Sequence, residues 1–232
     1  MSDARAVEHL NALFHAGRHE EALAGYRALA ATPLGGPMHA NAGYACQALG
    51  RHEEAIAHFE SYLAELPFRR HAWKAIAYSS YALKDYERMT RAAREAIRWD
   101  IERGAPDDYP WQQMATAHFL LGDLSTSLKA ARKALQLNPA NAFARYYESC
   151  VLYRVARGEA LDEPALLPAG ATEDDAARAL AAALALRPAL RADVEQEGHV
   201  AALLGHPALG EAPGGAPGEE PGGEPGGESV QG

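Results

Sequence analysis

Ten histidines and two cysteines are the residues in this chain that could hold a metal ion, and their spacing decides whether they do. Two ligands on one helix must stand three or four residues apart on a single face. His15 and His19 are four apart, but Gly17 between them interrupts the helix; His52 and His58 do not share a face. No His-Glu-x-x-His or Cys-x-x-Cys pattern occurs, so the histidines are expected at the surface or at hairpin edges, with no metal and no cofactor. Gly35-Gly36 follows a helical run and lacks the downstream Lys-Ser/Thr of a phosphate loop, and no Gly-x-Ser-x-Gly nucleophile is present. Glu20-Glu21 and Glu53-Glu54 each follow a glycine at a helix start, where the helix dipole favours carboxylates without any catalytic role. Cys46 and Cys150 lie in helical patterns about a hundred residues apart and read as buried thiols. The chemistry left is binding, not catalysis.

The elements that must position such a surface are helices. Hydrophobic residues make up 48% of the 232-residue chain, and alanine, leucine, arginine and glutamate dominate over β-branched types. The net charge is −9, of which Glu211, Glu219, Glu220, Glu224 and Glu228 supply a large part, leaving about −4 for the rest. An acidic body lacks the positive footprint that nucleic acid or anionic lipid demands, so neither is an expected partner. Nothing in 1–11 reads as a signal peptide and no apolar run nears the ~20 residues of a membrane span, which points to a soluble cytoplasmic protein.

Gly-Arg-His-Glu-Glu-Ala-Leu-Ala at 17–24 returns at 50–57 with Ile56 in place of the leucine. Such an echo marks a repeated structural unit. Apolar residues at three- and four-residue spacing predict a helix over 4–16, a break at Gly17, and a second helix over 19–31 that stops at Thr32-Pro33 and Gly35-Gly36-Pro37. Helical runs over 38–49 and 52–66 flank Gly50 and stop at Pro67; 68–81 and 86–103 flank Lys84-Asp85. The fourth unit opens at Asp107/Asp108 with Pro110 behind, turns at Gly122-Asp123 and ends at Asn138-Pro139; the fifth starts near Asn141 and turns near Ala156. The turns are therefore 33, 34, 38 and 34 residues apart. The longer third spacing predicts an extra helical turn, with Trp99 and Ile101 extending its apolar face. An acidic insert over 158–170 interrupts the fifth unit, helix resumes at Thr172 with Asp175 completing a capping box, and 190–204 reads as one more helix. Beyond it Pro213, Pro217, Pro221 and Pro225 punctuate glycine and glutamate, a composition that cannot build a core.

A helix–turn–helix unit of this length resembles the tetratricopeptide repeat, and the residues carry the likeness. Small residues stand seven places before the turn (Gly43, Ala77, Ala115, Ser149, with Leu10 the exception) and five after (Ala22, Ala55, Ser127, with Met89 departing). Nine after the turn stand Tyr26 and Phe59, reduced to Ala93 and Ala131 in later units; Ala96 and Ala134, Pro67 and Pro139, Trp73 and Trp111 match further positions. The resemblance is firm over 4–139 and looser to 209. It implies an all-α fold, a right-handed superhelical solenoid of antiparallel helix-turn-helix hairpins. The repeat domain spans 1–209, with units at 4–36, 37–67, 68–105, 106–140 and 141–188, a loop insert at 158–170, and a capping helix at 189–207 like the end-of-array segment of bacterial relatives. A disordered tail follows over 210–232.

In that family the first helix of each unit lines a concave groove, and residues three and six before the turn point into it. These are Phe14, Gln47, Tyr81, Phe119 and Tyr153, and Asn11, Tyr44, Tyr78, Thr116 and Cys150. Asn41, Lys74, Gln112 and Gln113 add polar groups. Aromatics there serve either as anchors for a peptide or helix, or as packing between units. The subtype that clamps a terminal carboxylate is not expected: Asn11 and Asn41 match it, but Val7, His71 and Ala75 replace its cations. The function implied is a non-catalytic scaffold or adaptor holding a peptide or helical segment of a protein partner. The alternatives are a chaperone-like holder of an apolar client segment in secretion or assembly, and, less favoured, an enzyme on a helical solenoid. Self-association through an open end is a further possibility.

Overall fold

The computed structural model describes residues 3–66, 69–167 and 169–210. The expected tail, apart from Gly210, and the stop at Pro67 lie outside the described residues. Five helical hairpins follow in order: α1 (Asp3–His15) with α2 (His19–Ala30), α3 (Gly35–Ala48) with α4 (His52–Glu65), α5 (Arg70–Ala82) with α6 (Tyr86–Glu102), α7 (Asp108–Leu121) with α8 (Leu124–Leu137), and α9 (Ala142–Ala156) with α10 (Glu173–Leu186). Each helix packs on its hairpin partner, α2, α4, α6 and α8 also pack on the first helix of the next hairpin, and α3, α5, α7 and α9 touch in succession, so these four form one layer of an all-α solenoid. Two clusters of buried side chains meet at α6, where Met89 and Ala92 face the earlier units and Ala93 and Ile97 the later ones.

The turns repeat one hydrogen-bond pattern. Gly17, Gly50 and Gly122 have φ of 77°, 73° and 85°, and Lys84 takes the same left-handed conformation at 59°. At Gly50, the Gly50 amide donates to Gln47 O at 3.0 Å and the Arg51 amide reaches back to Cys46 O at 2.9 Å, satisfying carbonyls that a helix end leaves open. The fifth turn differs from the expectation near Ala156. There α9 runs on to Ala156 and the left-handed residue is Gly158, because the chain leaves toward the insert and need not reverse at once.

The starts of α6 to α10 are fixed by side chains. Asp85, Asp123 and Asn141 accept the amides of Arg88, Thr126 and Ala144, Asp107 accepts that of Tyr109, and Thr172 with Asp175 forms a reciprocal capping box. Gly35-Gly36-Pro37, expected to end a unit, instead opens α3. The Glu65 carboxylate sits where side chains on those glycines would go, with a β-carbon at Gly36 only 2.8 Å from its Oε2. A carboxylate there also suits the helix dipole.

Small residues govern the helix spacing. A β-carbon on Gly43 would stand 2.8 Å from Phe59 Cζ, so the ring lies directly on the α3 backbone. In the first unit Leu10 occupies the small position and the glycine moves across the interface: a β-carbon on Gly25 would be 2.1 Å from Leu10 Cδ2. The extra turn of α6 behaves differently from the expected apolar extension. Ile101 is 64% exposed, and the buried side chain is Asp100, which accepts from Arg70 Nη1 at 2.8 Å. Trp99 is half-buried as expected, and a charge-assisted bond to α5 takes the place of Ile101 in holding the added turn.

The insert packs on α8. Leu161 is buried, Glu163 pairs with Lys129, its amide donates to Ser125 Oγ at 3.2 Å, and Arg132 Nη1 donates to Leu166 O at 2.9 Å. After α10 comes α11 (Leu190–Glu197), shorter than the single helix expected over 190–204. Gly198 at φ 75° ends it, and a 3₁₀ turn over Ala201–Gly205 and α12 (Pro207–Gly210) complete the end of the array. Leu190, Val194, Val200 and Leu203 from this segment are fully buried and cover the last hydrophobic face.

Two outcomes follow from the turns and the core. Gly50→Ala should lower the stability measured by urea unfolding by about 1 kcal/mol, whereas Lys84→Gly should raise it by about 0.5 kcal/mol, since it removes a side chain from a left-handed backbone. Cys46 and Cys150 are free and fully buried, and burial raises both thiol pKa values, so iodoacetamide should leave both intact in the folded protein and modify both in urea.

Candidate functional site

Most large hydrophobic side chains are covered, yet four tyrosines of the inner layer remain open: Tyr44 at 37%, Tyr78 at 50%, Tyr81 at 37% and Tyr109 at 39% exposed. They border two neighbouring hollows. The first, about 370 Å³, lies between α3, α5 and α7 and is lined by Tyr44, Gln47, His71, Lys74, Tyr78 and Tyr109. The second, about 420 Å³, lies between α5, α7 and α9, with Tyr78, Tyr81, Tyr109, Gln112, Thr116 and Tyr147 among its walls and Glu197 of α11 at its edge. Tyr78 and Tyr109 border both, so the hollows adjoin along the inner layer.

The rings are held in place. Tyr44 stands edge-on to the buried Phe59 with centroids 5.0 Å apart, and Tyr78 packs against His52 at 6.1 Å. Gln47 ties the second unit to the third, its Nε2 donating to both Ala75 O and Ser79 Oγ at 2.8 Å. Lys74 is paired with Asp107 and lies 5.8 Å from the Tyr109 ring centre. Burial alone would raise the Asp107 carboxyl, but its bonds to Lys74 and to the Tyr109 amide, with Arg70 nearby, bring it below the usual carboxylate range.

Of the fourteen residues expected in the groove, the hollows bring together Tyr44, Gln47, Lys74, Tyr78, Tyr81, Gln112, Gln113 and Thr116. The other six lie elsewhere, Cys150 fully buried in the C-terminal core. Asn11 accepts from Tyr26 Oη at 2.7 Å inside the first hairpin, and Phe14 packs on the His19 ring at 4.9 Å. Asn41 is half-buried on α3, and Tyr153 packs on the C-terminal core. Phe119 is 3% exposed and lies under the returning end of the array, edge-on to His199 at 4.9 Å with Tyr147 at 5.6 Å. Sequence reasoning missed Tyr109, Phe143, Tyr147, Arg187 and Glu197. Tyr109 sits in the first turn of its inner helix, whereas the positions scanned lay near the turns; an aromatic just behind a cap was the available signal. Glu197 had none, since its place depends on the path of α11.

Glu197 joins the array's end to its middle. Its Oε2 accepts from Tyr146 Oη of α9 at 2.8 Å and its Oε1 from Tyr81 Oη of α5, 116 residues earlier in the chain, at 3.2 Å. Burial, reinforced by the Glu197 carboxylate, pushes the Tyr81 phenol up to about 12, and the same causes raise Tyr147; for Tyr146 burial leads as well. A phenol whose folded pKa exceeds its unfolded value of ~10 stabilises the fold fully below that pH and loses its contribution as pH rises through the folded value. The urea midpoint should therefore hold to about pH 10 and fall between about 10 and 12. In Tyr81→Phe that fall should be shallower.

Among the described residues no helix is long and apolar enough to cross a membrane, and no three His, Cys, Asp or Glu side chains gather as a metal site. Residues 37–64 and 109–141 each match the tetratricopeptide-repeat family model. No curated protein matches the chain in sequence. Among solved structures, a MamA double mutant superimposes with a TM-score of 0.65 at 15% identity, covering 82% of this chain and 97% of that one. The pilF protein of Pseudomonas aeruginosa does so at 0.58 and 15%, over 90% and 95%, and a thermophilic TPR protein of Thermus thermophilus at 0.56 and 18%, over 88% and 99%. At such identities the likeness is one of fold. The two matched segments coincide with the hairpins α3–α4 and α7–α8, so these two units are tetratricopeptide repeats, and the hairpins before, between and after them share their helix–turn–helix form.

Proposed function

We propose that this protein is a non-catalytic scaffold or adaptor that holds a segment of a partner protein in the concave groove. The observation that carries this reading is the row of open tyrosines, Tyr44, Tyr78, Tyr109 and Tyr81, along two adjoining hollows. Tyrosine offers a large apolar face with a polar tip and little rotamer entropy to lose, which is why such residues dominate binding hot spots. The non-catalytic reading is supported by the work the acidic groups already do. Asp107 caps α7 and holds Lys74, Asp108 accepts from Asn138 and Asn141, and Glu197 accepts two phenols. A solenoid face of this kind suits an extended or helical protein segment.

The test uses Tyr44→Ala and Tyr78→Ala, whose side chains are open enough to be removed with little effect on the core. Phe119 is unsuited because its loss would empty a core position. Affinity purification with the double variant should lose the specific partners of the unaltered chain, with each ring worth about 1–2 kcal/mol. Partners retained at full strength by a variant with an unchanged unfolding midpoint would defeat the groove reading.

A further inference from the structure

Within the groove, the second hollow joins three features that call for the same kind of ligand. The first is an unpaired buried acceptor. Gln113 is 2% exposed; its Nε2 donates to Lys74 O at 3.2 Å, while its Oε1 has no hydrogen-bond partner among the described residues. Burial raises the neighbouring Tyr109 phenol, and Gln113 opposes that rise. Leaving such an oxygen without a donor is costly, and native structures seldom do so. The second is an aromatic wall, since Tyr78, Tyr81 and Tyr109 all border the space. Their ring faces carry partial negative charge and attract cations. The third is charge. Asp108 and Glu197 line the hollow against one cation, Arg187, which lies 4.8 Å from the Phe143 ring centre. The lining is therefore net negative. Glu197 uses one acceptor site on each oxygen for the two phenols, and a carboxylate has about four.

We infer that this hollow is a specificity pocket for an arginine side chain of the bound segment. The inference rests on the groove reading above and adds the chemistry of one contact. A planar guanidinium stacks on tyrosine and carries five donors, enough to reach an amide oxygen and carboxylates together. An ammonium offers fewer donors and no face to stack. An acidic side chain would meet Asp108 and Glu197, and an aliphatic one would leave Gln113 Oε1 unpaired.

A random-peptide display library panned on the full chain tests the assignment. Selected peptides should carry arginine at one fixed position, and replacing it by norleucine should weaken binding roughly tenfold, the scale of a lost charge-assisted hydrogen bond. Glu197→Gln, which keeps the size and one of the two acceptors while its NH₂ faces the other phenol oxygen, should cost a similar factor and erase the preference. Should that change loosen α11, Asp108→Asn provides the same test from the opposite wall. In a separate arm, N-acetyl-arginine amide at millimolar concentration should shift the NMR signals of the Gln113 side-chain amide, and N-acetyl-norleucine amide should not. Peptides that need Tyr44 and Tyr78 but show no arginine preference would overturn the pocket and leave the groove intact. Failure to select any peptide that depends on those tyrosines would count against both, and an unshifted Gln113 amide would overturn the pocket by itself.

Discussion

Phe59 lies on the backbone of Gly43 with no room for a β-carbon between them, and this contact sets the distance between α3 and α4. A helical hairpin of this size cannot bury its own apolar stripe; it must close tightly and then lean on the next hairpin. Small residues make the closing possible and a large ring fills what remains. The first unit reaches the same end with the sizes exchanged, Leu10 against Gly25, which shows that the constraint is the pairing of large with small and not the identity of either position.

The groove inherits its order from that packing. Tyr44 is open to a ligand on one side and stands on Phe59 on the other, so a core residue orients a surface one. Gln47 then carries the geometry from the second hairpin to the third through Ala75 and Ser79, and Gln113 does so from α7 back to Lys74. A ligand in the groove would meet side chains whose positions are already fixed, which reduces the ordering cost of binding.

The end of the array shapes the groove as much as the repeats do. Segment 190–210 buries Leu190, Val194, Val200 and Leu203, but it also sends Glu197 to Tyr81 and His199 onto Phe119. Phe119 occupies a groove position by register, and in the folded chain it is core. The same fold-back turns an open channel between α5 and α9 into a walled hollow.

Most helix spans up to α10, the turns at Gly17, Gly50, Lys84 and Gly122, and the Thr172 capping box were legible in the sequence, because periodicity, caps and left-handed turn residues act between near neighbours. The open tyrosines Tyr44, Tyr78 and Tyr81 were legible too, since a repeat register assigns a face to each position. What the register could not assign was depth. Whether an aromatic on that face binds or packs depends on what the superhelix and its last helix bring over it, as Phe119 and Tyr78 show. Helix placement at Gly35-Gly36 turned on Glu65 thirty residues away, and the burial of Asp100 on Arg70 at a similar distance. Local pattern alone determined that this chain is a stack of helical hairpins; long-range packing decided which of its inner side chains stay open and which are buried.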